Sequence, residues 1–189
     1  MPTRTLALAA LTLALLSGCG DDETAPEADD SSTYDSEQQH SDVNLGPAED
    51  FNAEIELPDG RKVSMYYAQD TGLAEQHYSP EADAWTAPQI LYPTKTEPCS
   101  GITLEEQDGT VAVIADWALY CYDGEPPNES VAGVATGDLT DWETDLTEGF
   151  DGWTSVTLSD GGDQAVWKYH SDNRLTWTAG DGFDKQLAD

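Results

Sequence analysis

From residue 51 onward the chain alternates. Val63, Met65 and Tyr67 stand two apart, as do Val111, Val113 and Ala115, and Ala165, Trp167 and Tyr169. A period of two puts each trio on one face of a strand. Gly, Asp, Asn and Pro break the apolar runs at short intervals, and no stretch of helical length sustains a helical stripe. The pattern predicts an all-β domain over residues 51–185.

The pattern also recurs. Ile55-Glu56-Leu57, Ile102-Thr103-Leu104 and Val156-Thr157-Leu158 each lead into an Asp-Gly pair, at Asp59-Gly60, Asp108-Gly109 and Asp160-Gly161. Asp-Gly suits the positive φ of a tight hairpin, so three hairpins are predicted. Leu57, Leu104 and Leu158 mark starts at similar intervals, which divides the domain into repeats of about 51–99, 100–152 and 153–185. Repeats of this length built from short strands suit propeller blades. A second recurrence places Ser79, Thr136 and Ser171 six residues before Trp85, Trp142 and Trp177. The segments Tyr78–Thr86 and Ala135–Glu143 resemble the strand-turn-Trp element of sialidase-like and five-bladed glycosidase-like β-propellers. That resemblance implies turns folded by side-chain to backbone hydrogen bonds, with Trp packed between blades. Three repeats are fewer than the usual four to eight of a closed ring. The expected architecture is therefore an open or partial propeller, with a small β-sandwich or barrel as the alternative. The span from Leu158 to Ser171 is shorter than Leu57 to Ser79 or Leu104 to Thr136, so the third repeat is expected to lack a strand.

Upstream of the domain the texture differs. Met1–Arg4 carries one positive charge, and Leu6–Leu16 is an apolar run, mostly Leu and Ala. At ~1.5 Å per residue it covers about 16 Å, half of a roughly 30 Å hydrocarbon core. It fits a secretory h-region, which makes residues 1–18 a signal peptide. Leu16-Ser17-Gly18-Cys19 follows directly and resembles the lipobox of bacterial lipoprotein precursors. The resemblance implies cleavage before Cys19, diacylglyceryl attachment to its sulfur, and a domain facing outside the cytoplasm on the cell membrane or envelope. Gly20–Asp50 holds 11 Asp or Glu and no Lys or Arg, with Tyr34, Val43 and Leu45 as its only larger apolar side chains. Such a segment buries too little surface to offset chain entropy, so residues 19–50 are expected to form a disordered acidic tether spanning on the order of 30 Å.

Charge narrows the partners. The net charge is −31, and removing the leader with its Arg4 takes it to −32. Nucleic acid and anionic lipid surfaces need clustered Lys and Arg, so neither suits this chain. Cys99 and Cys121 form an even pair in an exported domain, where a disulfide is expected. His40, His77 and His170 show no ligand spacing, and there is no Cys-x-x-Cys or EF-hand spacing, so no metal site and no cofactor is assigned. Sialidases use three arginines on the substrate carboxylate. Arg61 and Arg174 are the only ones after the leader.

Trp117, Tyr120 and Tyr122 flank Asp123–Ser130, an insertion present only in the second repeat. Insertions in repeat folds map to loops that carry binding. These aromatics are therefore the candidate ligand edge, held rigid by a Cys99–Cys121 bridge. Asp123, Glu125 and Glu129 favour a neutral or cationic ligand there. The function expected from the sequence is a membrane-anchored, non-catalytic module binding a protein or glycan. The alternatives are a carbohydrate-active enzyme or its degenerate relative, and a half-propeller completed by a partner chain or homodimer.

Overall fold

A computed structural model of the chain describes residues 34–44, 51–118 and 126–188. Among these residues the regular structure is all-β, with no α-helix. The strands form three open antiparallel sheets. The first contains β1 (Tyr34–Ser36), β2 (Asn52–Glu56), β3 (Lys62–Ala68), β4 (Gly72–Ser79), β5 (Ala84–Thr86) and β6 (Gln89–Pro93). Its order is β1-β5-β4-β3-β2, with β6 sharing the β5 side of β4. The second is a meander of β7 (Thr103–Gln107), β8 (Thr110–Trp117), β9 (Glu129–Ala135) and β10 (Trp142–Glu148), and the third a meander of β11 (Ser155–Leu158), β12 (Gln164–Tyr169), β13 (Asn173–Thr178) and β14 (Gly182–Gln186). The third repeat thus has a full set of four strands, against the expected deficit. It is short because its connections are tight.

The Asp-Gly pairs fall in the first hairpin of each sheet. Asp108 and Gly109 both take positive φ, at 50° and 81°. In the third hairpin the left-handed residue is Gly162 (φ 67°) rather than Gly161. A Cβ on Gly162 would meet the Gln107 carbonyl oxygen and Thr110 Oγ1, each at 2.7 Å. That close approach lets Thr110 Oγ1 donate to the Gly162 carbonyl at 2.9 Å and ties the second sheet to the third.

The sheets stack face to face, and the middle one is covered on both sides. Every residue of β8 is buried. Its odd positions, Val111, Val113, Ala115 and Trp117, join the core against Val63, Met65, Tyr67 and Leu73 of the first sheet. Its even positions, Ala112 and Ile114, join the core against Val156, Trp167, Leu175 and Trp177 of the third. A strand buried on both faces loses polar alternation, because neither side meets water. Trp167 Nε1 donates to the Val113 carbonyl at 3.0 Å across the second interface. Trp85 stands on β5 and Trp142 on β10, whereas Trp177 stands on β13, the third strand of its meander. The equal six-residue spacing therefore marks two different turns. Ser79 Oγ accepts from the Ala82 amide at 3.3 Å, and Asp138 Oδ1 accepts from the Thr140 amide at 3.1 Å, so side chains do fold the first two of these turns.

Residues 34–44 depart from the expected disordered tether. They form a strap on the first sheet. Tyr34 and Ser36 pair with Thr86 and Trp85. The Gln39 amide donates to Gln76 Oε1 at 2.8 Å, and Gln76 Nε2 donates to the Glu37 carbonyl at 3.1 Å. Asp42 Oδ1 accepts from the Gln69 amide, and Val43 is buried. Apolar content underestimates the strap because backbone pairing and polar side chains hold it. Residues 1–33 and 45–50, which include the leader, Cys19 and the rest of the acidic segment, lie outside the described residues.

Candidate functional site

Trp117 is the last residue of β8, and it is 1% exposed. It is a core residue rather than part of a surface edge. Alternation explains why: Trp117 continues the face of Val111, Val113 and Ala115, and that face meets the first sheet. Its ring lies 5.3 Å from Tyr67, edge-on, and 4.9 Å from Tyr92. Phe51 extends the row at 5.8 Å from Tyr67. Tyr120 and Tyr122 lie outside the described residues, as do Asp123 and Glu125. Glu129 is on β9 and accepts a hydrogen bond from the Tyr92 hydroxyl at 2.9 Å. Burial, followed by this bond to a carboxylate, raises the Tyr92 phenol to about 12.

A cavity of about 160 Å³ opens beside this row. Tyr67, Trp117 and Val43 supply apolar wall, Gln69 and Asp70 come from the β3–β4 turn, and Lys95 and Glu97 come from the segment after β6. A close backbone approach fixes the turn. Gly72 has φ 125°, and a Cβ there would fall 1.9 Å from the Tyr92 carbonyl oxygen. A polar network lies under the far wall. The Asp116 amide donates to the Tyr67 hydroxyl at 3.2 Å, and Ser100 Oγ donates to Asp116 Oδ2 at 2.9 Å. Asp116 is 5% exposed, and desolvation holds its carboxyl above the usual range. The Cys99 amide donates to the Asp116 carbonyl at 2.8 Å, which docks this segment on the end of β8. Cys121 lies outside the described residues.

A second cluster is not announced by the sequence. Glu75 and His77 alternate with Leu73 on β4, opposite Met65, Val63 and Tyr67 of β3. That face is the core, and the two polar residues are 0% and 2% exposed. His77 Nδ1 and Glu75 Oε1 are 3.0 Å apart. The outer atoms, Glu75 Oε2 and His77 Nε2, are buried without a hydrogen-bond partner. Desolvation raises the Glu75 carboxyl above its ordinary value, with His77 pulling in the opposite direction. In the sequence, Glu75-Gln76-His77 reads as a polar stretch of an exposed strand; the packing of the second sheet buries Glu75 and His77, and the strap covers Gln76.

The remaining candidates are not brought together. His40 and His170 are exposed, and His170 stacks on Tyr169 at 4.1 Å. Among the described residues no group of three His, Cys, Asp or Glu could hold a metal ion. Asp181 and Asp184 line a shallow groove with Arg174 and Gln186 on the outer side of the third sheet. No family model, no curated protein and no solved structure matches the chain.

Proposed function

We propose that the chain is an exported lipoprotein, anchored through Cys19, whose three-sheet stack is a non-catalytic module binding a glycan or a protein side chain at the Trp117 cavity. The observation that carries this is the cavity itself, with its aromatic wall and its polar rim of Asn44, Gln69, Asp70, Lys95 and Glu97. Drug-sized ligands occupy roughly 300–1,000 Å³. About 160 Å³ takes one sugar ring or one protruding side chain. The 119–125 segment, with Tyr120 and Tyr122, follows within two residues of Trp117. A Cys99–Cys121 bridge would restrain it and lower the ordering cost of binding.

Each sheet is read as one blade-like unit. The first strands β2, β7 and β11 lie in contact along one side of the stack, which supports that reading. The stack needs no further blade. The strap covers the outer face of the first sheet. On the third sheet, Lys168, Arg174, Thr176, Thr178, Asp184 and Gln186 alternate with the core positions and so face outward. A polar outer face is the mark of a terminal, capping unit. This favours a complete module over a half-propeller awaiting a partner.

Two experiments test the proposal. Cys19→Ser should abolish palmitate labelling and move the protein out of the membrane fraction; retention with label would contradict anchoring. A glycan array probed with the mature chain and with Gln69→Ala/Lys95→Ala should show hits that the double variant loses at least tenfold, with the thermal midpoint unchanged. Hits indifferent to both substitutions would move the site elsewhere.

A further inference from the structure

The edge of β4 that faces away from β3 is broken. Gly72–Glu75 pair with β6, and Tyr78–Ser79 pair with β5, which leaves Gln76 and His77 between the two ladders. Pro88 sits at the break and has no N–H to offer a ladder. Side chains replace the missing bonds. Gln76 Nε2 donates to the Thr86 carbonyl at 2.8 Å, and the His77 amide donates to Thr86 Oγ1 at 3.1 Å. Local breaks of this kind re-aim side chains and gather next to functional sites.

What the break frames is a groove of about 420 Å³ lined by His77, Thr86, Ala87, Pro88, Gln89, Thr140 and Asp141. The His77 ring is fixed on two sides. Glu75 holds Nδ1, and Tyr34 of the strap packs edge-on at 5.6 Å. The atom left over is Nε2, buried and without a partner. Leaving a buried polar group unpaired forfeits its hydration with nothing in return, so its persistence beside a groove points to a partner that arrives from outside.

We propose that this groove is a second ligand site, built for a primary ammonium group that donates to His77 Nε2 and to the Asp141 carboxylate. The lining contributes an imidazole, a carboxylate and amide or hydroxyl oxygens, with no Lys or Arg. Asp138 lies close by in sequence to Thr140 and Asp141; bonds from the Thr140 side chain and backbone hold its carboxyl below the usual range. An ammonium donor selects the tautomer with the proton on Nδ1, which Glu75 Oε1 accepts. Glu75 is thus a positioning residue. A net charge of −31 raises the local concentration of cations around the whole chain. The site is separate from the Trp117 cavity, and its failure leaves that proposal standing.

The test uses the mature chain labelled with ¹⁵N-histidine, whose three imidazoles are His40, His77 and His170. The probe is 1,5-diaminopentane, with pentane-1,5-diol as its uncharged analogue. The expected result is a saturable shift of the His77 ring nitrogens toward the Nδ1-protonated tautomer, with little change at His40 or His170. The diol should produce none of it. Asp141→Asn, at an exposed position, should weaken the diamine at least tenfold. Glu75→Gln should alter the His77 tautomer signal before any ligand is added. Equal shifts at all three histidines, equal binding of the diol, or unchanged binding by Asp141→Asn would each overturn the site.

Discussion

Trp117→Ala separates a core residue from a surface anchor. The side chain is 1% exposed and touches Tyr67 and Tyr92 on two sides. Truncating a buried Trp to Ala costs about 3–5 kcal/mol, combining lost transfer energy with the cavity left behind. Each aromatic contact contributes about 0.5–1.5 kcal/mol beyond its area. The new void would merge with the existing cavity of about 160 Å³, so the site has little means of collapsing around it. The upper half of the range is therefore expected, about 4 kcal/mol. For a domain of this size, about 1 kcal/mol moves Tm by about 2–4 °C, which gives a loss of about 8–16 °C. Thermal unfolding followed by far-ultraviolet circular dichroism measures it, and urea unfolding gives the free energy independently. Added indole should restore part of the lost stability by refilling the void, as apolar cavities accept aromatic guests. A loss below about 1 kcal/mol, the size of an ordinary surface change, with no indole effect would refute the packing derived for Trp117. It would return that residue to the surface edge that sequence reasoning assigns it.

Three further outcomes follow from the same geometry. Glu75 is held above its ordinary 4.5 in the folded state, so the native protein keeps a proton that the unfolded chain releases. Stability contributed by this group therefore declines as pH rises above its ordinary 4.5, and wild type should lose Tm relative to Glu75→Gln over that rise; a pH-independent difference would contradict it. Gly72→Ala places a methyl group against the Tyr92 carbonyl at φ 125° and should cost about 3 kcal/mol or more in urea unfolding, whereas an effect within about 0.5 kcal/mol would mean the turn relaxes freely. Intact mass of the non-reduced, alkylated chain should show Cys99 and Cys121 unlabelled, and two alkylated thiols there would rule out the bridge.

Period-two alternation makes the all-β class legible, because each sheet presents at least one apolar face to a neighbour. What it does not reveal is how many faces each strand buries. The run from Val111 to Ala115 has no polar position, and that continuous apolarity was the available signal for a sheet covered on both sides. Reading only its odd positions hides the second interface. Ending that face at Ala115 detaches Trp117, the next position of the same alternation, from the face to which it belongs. The strap is illegible for another reason. Its bonds run through the Gln39 amide, Gln76 and Asp42, and hydropathy gives these no weight. The Glu75–His77 pair is the hardest case. Burial there comes from a sheet whose first strand begins only at Thr103, and no local pattern encodes it.

The proposed module is complete in one chain, with the strap closing one end of the stack and the polar face of β12–β14 closing the other. Sedimentation equilibrium of the Cys19→Ser chain tests this most directly. A single species of one-chain mass up to high micromolar concentration, unchanged between low and high salt, is the predicted result. A concentration-dependent dimer or larger ring would contradict it, and would show that the outer face of the third sheet is an interface.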